Sequence, residues 1–344
     1  MKRSFKKIIS LFLSLLFIFL VFPLSSCEEV ITENNRVFYD CFDTVCVVWD
    51  YSGMESEKFD KLAADIEASA RHYHTLYDAH NEYDGINNIA SLNRLAGQGA
   101  VKVDKAIIDV LEFSKKMYED TDGKVNFALG SVTHLWKSLP ASEKRIPYDT
   151  ELSEAMTHTS PDSVVINRES STVEILDPDL RIDLGAIAKG YTAEVIKEEL
   201  SSLGYSSIVL DFGGNLCAVG TKPNGEGFES AIQNPLYDGS GNKYLREDVI
   251  LIDQALVTSG TYQRYYTVDG VKYHHIIDPE SARPENRYIS VSIQTRSSAV
   301  ADALSTAIFN MDFEAACEFI GSYEERMEVT FLFPDGRSQV IKSN

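Results

Sequence analysis

Apolar positions recur along this chain at two periods, near 3.6 and near 2, and the switch between them marks out helices and strands. From 55 to 77, Phe59, Leu62, Ala63, Ile66, Ala70 and Tyr73 stand three or four apart and form one helical face. Ile107, Val110, Leu111, Ser114, Met117 and Tyr118 repeat the pattern over 105–121, with Gly123 just beyond. A third helix opens near Ala186 and runs to Gly204, a glycine placed where a helix end turns left-handed. A fourth covers 298–309. Residues 37–51, rich in Val, Tyr, Phe and Trp, read as one strand, and 163–167 with 172–176 as a hairpin. Short strands follow at 207–211, 216–220, 228–233 and 249–252. Strands 265–268 and 271–277 flank Asp269-Gly270, a favoured two-residue turn, and the chain closes in a hairpin around Pro334-Asp335-Gly336. Hairpins interspersed with helices predict an α+β fold, with mixed or antiparallel sheets flanked by helices rather than a doubly wound parallel sheet.

The N-terminus departs from this pattern. Lys2, Arg3, Lys6 and Lys7 precede an apolar stretch over 8–24 that only Ser10, Ser14 and Pro23 interrupt. That stretch is short for a membrane span and matches a secretory signal. It ends in Leu24-Ser25-Ser26-Cys27, which looks like a bacterial lipobox, with Cys27 as the lipidation site and first mature residue. Residues 1–26 then form a signal peptide, 27–36 a polar tether, and 37–344 a single large α+β unit that could divide into two lobes. The reading places the protein outside the cytoplasm, held on the bacterial cell membrane by acyl chains.

The chain carries 32 Lys+Arg against 52 Asp+Glu, a formal charge of −20. That balance argues against non-specific nucleic-acid binding, which depends on neutralising phosphates. Beyond Cys27 the cysteines are Cys41, Cys46, Cys217 and Cys317, with no CxxC or zinc spacing. On one strand, Cys41 and Cys46 fall on opposite faces, so a bridge between them is not expected, and all four read as small apolar residues.

Three segments carry candidate chemistry. In Arg181-Ile-Asp-Leu-Gly-Ala-Ile-Ala-Lys-Gly-Tyr191 a strand runs through small residues into a helix. Its first-turn N–H groups and Lys189 suit an anion, although the segment is neither a Walker A loop nor GxGxxG. A plain strand-to-helix turn reads equally well. In Tyr273-His-His-Ile-Ile-Asp-Pro279, strand alternation lets only one of His274 and His275 face a given site, and a structural histidine is the simpler alternative. Thr258-Ser259-Gly260 reads as a turn rich in hydroxyls. In Ala301-Asp-Ala-Leu-Ser-Thr-Ala307, Asp302 and Thr306 share a helical face and could hold a hard cation; alone, Asp302 reads as a solvated carboxylate.

Taken in order, these segments resemble the ApbE-type family of FAD:protein FMN transferases. The resemblance runs from Asp43-Thr44 to about Phe319. It also takes in Asn87-Asn-Ile-Ala-Ser-Leu-Asn93, Thr121-Asp-Gly-Lys-Val-Asn126 and Phe212-Gly-Gly-Asn215. It implies a related α+β (T-fold-related) architecture. It further implies that the Ala186 carbonyl, Asp302 and Thr306 ligate Mg²⁺, and that Lys189 with the turn at Gly185 and Ala186 lies by the FAD pyrophosphate. Thr258, Ser259 and Gly260 would line the flavin site, with His275 at the reacting phosphate. Tyr77 and Asp78 are candidates for contacts to adenine. Glu194 stands where the family commonly has Asp, on an expected outer helical face.

The implied reaction is phosphoryl transfer, in which positioning and charge neutralisation dominate. His275, titrating near neutrality, would take the proton of a Thr or Ser hydroxyl on an acceptor protein of an extracytoplasmic electron-transfer system, releasing AMP. With water as the nucleophile, the protein would be a metal-dependent FAD pyrophosphatase. A non-catalytic flavin-binding lipoprotein is the third reading.

Overall fold

The structure is a computed structural model that describes residues 34–138 and 145–343. Cys27 and the signal stretch lie outside the described residues. The helices are α1 (Ser56–Tyr77), α2 (Ile89–Arg94), α3 (Lys105–Asp120), α4 (Gly130–Ser138), α5 (Asp149–Met156), α6 (Ala188–Ser202), α7 (Ser298–Phe309) and α8 (Phe313–Ser322). The strands are β1 (Asn34–Cys41), β2 (Thr44–Asp50), β3 (Val101–Lys102), β4 (Val164–Asn167), β5 (Thr172–Ile175), β6 (Ile208–Phe212), β7 (Asn215–Val219), β8 (Phe228–Gln233) and β9 (Tyr244–Leu251). They continue as β10 (Ala255–Gly260), β11 (Tyr265–Val268), β12 (Val271–His274), β13 (Ile277–Asp278), β14 (Arg283–Pro284), β15 (Ser290–Thr295), β16 (Met327–Leu332) and β17 (Ser338–Lys342). Among the described residues, eight strands form one sheet in the order β1-β2-β6-β7-β10-β15-β16-β17, each pair antiparallel. The α+β expectation holds.

Strand alternation assigns the two faces of this sheet. Ile208, Leu210, Phe212, Cys217 and Val219 meet the apolar stripe of α1 and Ala193, Ile196 and Leu200 of α6. Val209, Ala218 and Leu256 point the other way, onto the β8–β9 ribbon. Helix α7 lies on β10 and β15 under α3 and α6, and ten of its residues are buried. A helix apolar nearly all round is buried, so Asp302 is 4% exposed and not a solvated carboxylate.

The structure corrects several sequence expectations. The segment read as a single strand over 37–51 is the β1–β2 hairpin, which starts at Asn34, inside the expected tether, and turns at Phe42 and Asp43 (φ 53° at both). Aspartate tolerates that left-handed backbone, which propensity counting does not register. Cys41 and Cys46 therefore belong to two paired strands and enter the same core rather than opposite faces; both thiols are free. The strand expected over 271–277 stops at His274. The helix expected from Ala186 starts at Ala188, after a turn.

Candidate functional site

Three backbone clamps shape the turn that precedes α6. Asn93 accepts from the Ile182 N–H (2.7 Å) and donates to its carbonyl (2.9 Å), imitating a neighbouring strand. Gly130 N–H donates to the Arg181 carbonyl, and Asp183 N–H to that of Phe127 (both 2.9 Å). The Asp183 carboxylate accepts from Gly185 N–H (2.9 Å), Thr133 Oγ1 (2.7 Å) and Lys137 Nζ (3.0 Å). Burial raises its pKa, but Lys137 and these donors outweigh the desolvation and bring it to about 2. Within the Asn87–Asn93 motif the sequence alone assigns Asn93 no role. Its cue was an amide in a segment capped by Asn88, whose side chain and Ser91 form a capping box.

Helix α6 crosses α7 at Gly190. A Cβ there would lie 2.4 Å from both the Asp302 Cβ and the Ser298 carbonyl, so only glycine permits the approach. The approach lets Gly190 N–H donate to Asp302 Oδ2 (2.8 Å). Lys189, the adjacent residue, brings Nζ to 3.7 Å from Asp302 Oδ1 and 3.5 Å from the Gly185 carbonyl. Burial raises the Asp302 pKa against the opposing pull of Lys189 and the Gly190 N–H. Ser259 Oγ sits 2.8 Å from Ser305 Oγ and 3.3 Å from Thr306 Oγ1, tying β10 to the Asp302–Thr306 face.

The structure thus brings Gly185, Lys189, Asp302, Thr306 and Ser259 together, with Ala186 following Gly185 in the turn. Thr258 is different. The 258–260 segment is the end of β10, not a turn, and alternation sends the Thr258 hydroxyl to Ser292 on the far face (2.7 Å). The turn N–H groups expected to be free are partly committed: that of Gly185 to Asp183, and those of Ile187 and Ala188 to the Leu184 carbonyl. Glu194 is not on an outer face; it accepts from Ser298 N–H at the start of α7, and burial raises its pKa.

The two histidines divide sharply. His274 is buried, its Nε2–H donating to the Glu285 carbonyl (3.0 Å) and its Nδ1 accepting from Ile276 N–H (3.3 Å). Both nitrogens are spent. His275 is exposed just past the end of β12, and its Nδ1 lies 3.2 Å from the Arg264 carbonyl. Although the ring reaches solvent, the protein packed around it disfavours the charged form, and with Lys189 and Arg264 nearby this lowers its pKa to about 4. The expectation of titration near neutrality is corrected on that ground. Asp278 fixes the chain beyond: its buried carboxylate lies 3.1 Å from Arg287 Nη1, 4.0 Å from Lys124 Nζ, and accepts from Glu280 N–H. Lys124 belongs to the Thr121–Asn126 motif, so two separated motifs meet here.

Tyr77 is buried, with its hydroxyl on the Ala106 carbonyl (3.3 Å). Asp78 accepts from His80 N–H, Asn81 and Tyr83, folding the loop ahead of α2. A small cleft beyond this loop is lined by Ala79, His80, Asn93, Thr133, Arg181 and Asp183. Among the described residues no helix is long and apolar enough to cross a membrane.

The ApbE family model matches residues 42–331. A protein of Treponema pallidum named FAD:protein FMN transferase is 32% identical over 311 residues, covering 86% of this chain and 83% of that protein. Its namesake in Klebsiella pneumoniae is 27% identical over 304 residues, covering 86% and 92%. Among solved structures, the ApbE protein of Thermotoga maritima superposes with a TM-score of 0.78 at 24% identity, covering 91% of this chain and 97% of that one. The flavin transferase ApbE of Vibrio cholerae gives 0.76 at 23% identity, covering 91% and 98%.

Proposed function

The chain belongs to the ApbE family, and from that premise we propose that it transfers FMN from FAD to a Thr or Ser hydroxyl of an acceptor protein, releasing AMP. The observation that carries this reading is the His275 ring. A carbonyl oxygen only accepts, so Nδ1 holds the proton and Nε2 keeps its lone pair. With a pKa of about 4 the ring is neutral at physiological pH. Nε2 is then the base that takes the acceptor hydroxyl's proton as oxygen attacks the FMN phosphorus and AMP leaves.

Around that base the other residues bind and orient. Lys189 offers a mobile ammonium to the pyrophosphate. The turn at Gly185 and Ala186, held by Asn93 and Asp183, sets where the phosphates rest. Asp302 and Thr306, with the Ala186 carbonyl, are the oxygens that would hold Mg²⁺. A buried carboxylate whose pKa is raised by desolvation, beside a hydroxyl, fits a hard cation. When bound, that ion supplies charge neutralisation at the phosphates. Ser259 keeps the Thr306 hydroxyl in place. We extend the proposal to location: lipid on Cys27 would hold the enzyme at the outer side of the cytoplasmic membrane, facing extracytoplasmic acceptors.

The test is incubation with FAD and Mg²⁺, with and without an acceptor polypeptide carrying a target threonine. Flavin fluorescence that stays with the acceptor on a denaturing gel supports transfer. AMP release without labelling makes the protein a pyrophosphatase, with water in place of the hydroxyl. Binding of FAD with neither product leaves a flavin-binding protein and defeats the proposal.

A further inference from the structure

We infer that Lys189 is the resident cation of the Asp302 site, and that it makes a divalent ion and a pyrophosphate enter together. The inference rests on the metal-site reading above. Lys189 and Gly190 are consecutive, and both address one carboxylate: the Gly190 N–H takes Oδ2 at 2.8 Å, and the Lys189 ammonium stands 3.7 Å from Oδ1. The ammonium also stands 3.5 Å from the Gly185 carbonyl, so it occupies an oxygen-lined position of the kind a metal ion takes. Its side chain remains 26% exposed, and its flexible stem leaves it free to swing toward a ligand.

Asp302 and Lys189 together are neutral, which a buried site tolerates. A divalent ion alone leaves a net charge of +2 around one buried carboxylate, and the FAD pyrophosphate alone leaves −2. With both bound the formal sum is again zero, the ammonium having passed from Asp302 to a phosphate oxygen. Each ligand therefore raises the affinity of the other, and by linkage the coupling is reciprocal. Lys189 is in this respect a positioning residue whose removal should strengthen one binding event while weakening the next.

The probe is Mn²⁺ alone, titrated into the full chain without FAD and followed by electron paramagnetic resonance. Lys189→Met keeps the stem and removes the charge, and should bind Mn²⁺ roughly 10-fold more tightly than the parent, within the usual range of site coupling. Lys189→Gln should do the same, and Lys189→Arg should stay weak. Circular dichroism checks that each variant is folded. Mn²⁺ affinity equal to or below that of the parent in both Lys189→Met and Lys189→Gln, with Asp302→Asn abolishing binding, overturns the inference and leaves the metal site standing. Mn²⁺ affinity indifferent to Asp302→Asn in every background overturns the metal site itself, and the inference with it.

Discussion

The carbonyl oxygen of Arg264 receives His275 twice, from its backbone N–H and from ring Nδ1, each at 3.2 Å. The guanidinium of the same arginine reaches back across the site to the Asp43 carbonyl at 3.0 Å. One residue thus joins the β1–β2 turn to the proposed base, His275, and fixes its tautomer. Fixing Nδ1 as donor is what leaves Nε2 able to accept.

From this follows the division between the histidines. His275→Ala should lower the transfer rate about 10²–10⁴-fold, the usual contribution of a general base, while FAD binding persists. His274→Ala should keep the rate and lose thermal stability, because it removes a buried ring and breaks its two hydrogen bonds. Initial rates of AMP release and melting curves for both variants decide it; a dead His274→Ala beside an active His275→Ala reverses the assignment.

The folded-state pKa of His275, about 4, lies below its ordinary value near 6.5. The ring's contribution to stability is complete above 6.5 and is lost as pH falls through 4, where the unfolded chain binds the proton more readily. The free-enzyme rate kcat/KM should accordingly stay level through neutrality and fall only as pH approaches 4. A fall centred on 6.5 would show an unperturbed imidazole.

Asp183 gives an acid-side prediction. Its pKa of about 2 lies below the ordinary carboxylate value of 3.8, so its stabilising effect is present above 3.8 and fades as pH falls through 2. Asp183→Asn should lower the melting temperature at pH 7, and the gap from the parent should narrow toward pH 2. An equal gap at both pH values would mean that the charge on Asp183 is immaterial to the turn.

Gly190→Ala should cost about 1–3 kcal/mol by overpacking, because the new methyl meets α7 backbone as well as Asp302. Denaturant melts measure the cost. Metal binding should weaken too, since the two helices must separate; unchanged stability would show that they part freely.

Cys27→Ala should release the protein from membranes or leave it as a precursor. Mass spectrometry of the mature N-terminus checks this, and any start other than an acylated Cys27 would sink it.

The sequence by itself determined helices α1, α3, α6 and α7, the β4–β5, β11–β12 and β16–β17 hairpins and the segments that meet at the site, because those follow from local periodicity, turn chemistry and motif order. Helix α7 was legible to the residue, and so was the shared face of Asp302 and Thr306. What tertiary structure decided was which groups are buried and what they touch. Asp302 became a desolvated carboxylate because α6 and the sheet cover its helix. The single strand over 37–51 became a hairpin because two left-handed residues reverse it, bringing Cys41 and Cys46 into one core. Thr258 and Ser259, one residue apart, parted onto opposite faces once the supposed turn proved to be a strand. The tautomer of His275, the clamp of Asn93 on Ile182 and the nearness of Lys189 to Asp302 all join residues between 11 and 113 positions apart. Such pairs carry no local signal, because hydrogen bonds and charges act through space and the chain's order records only neighbours.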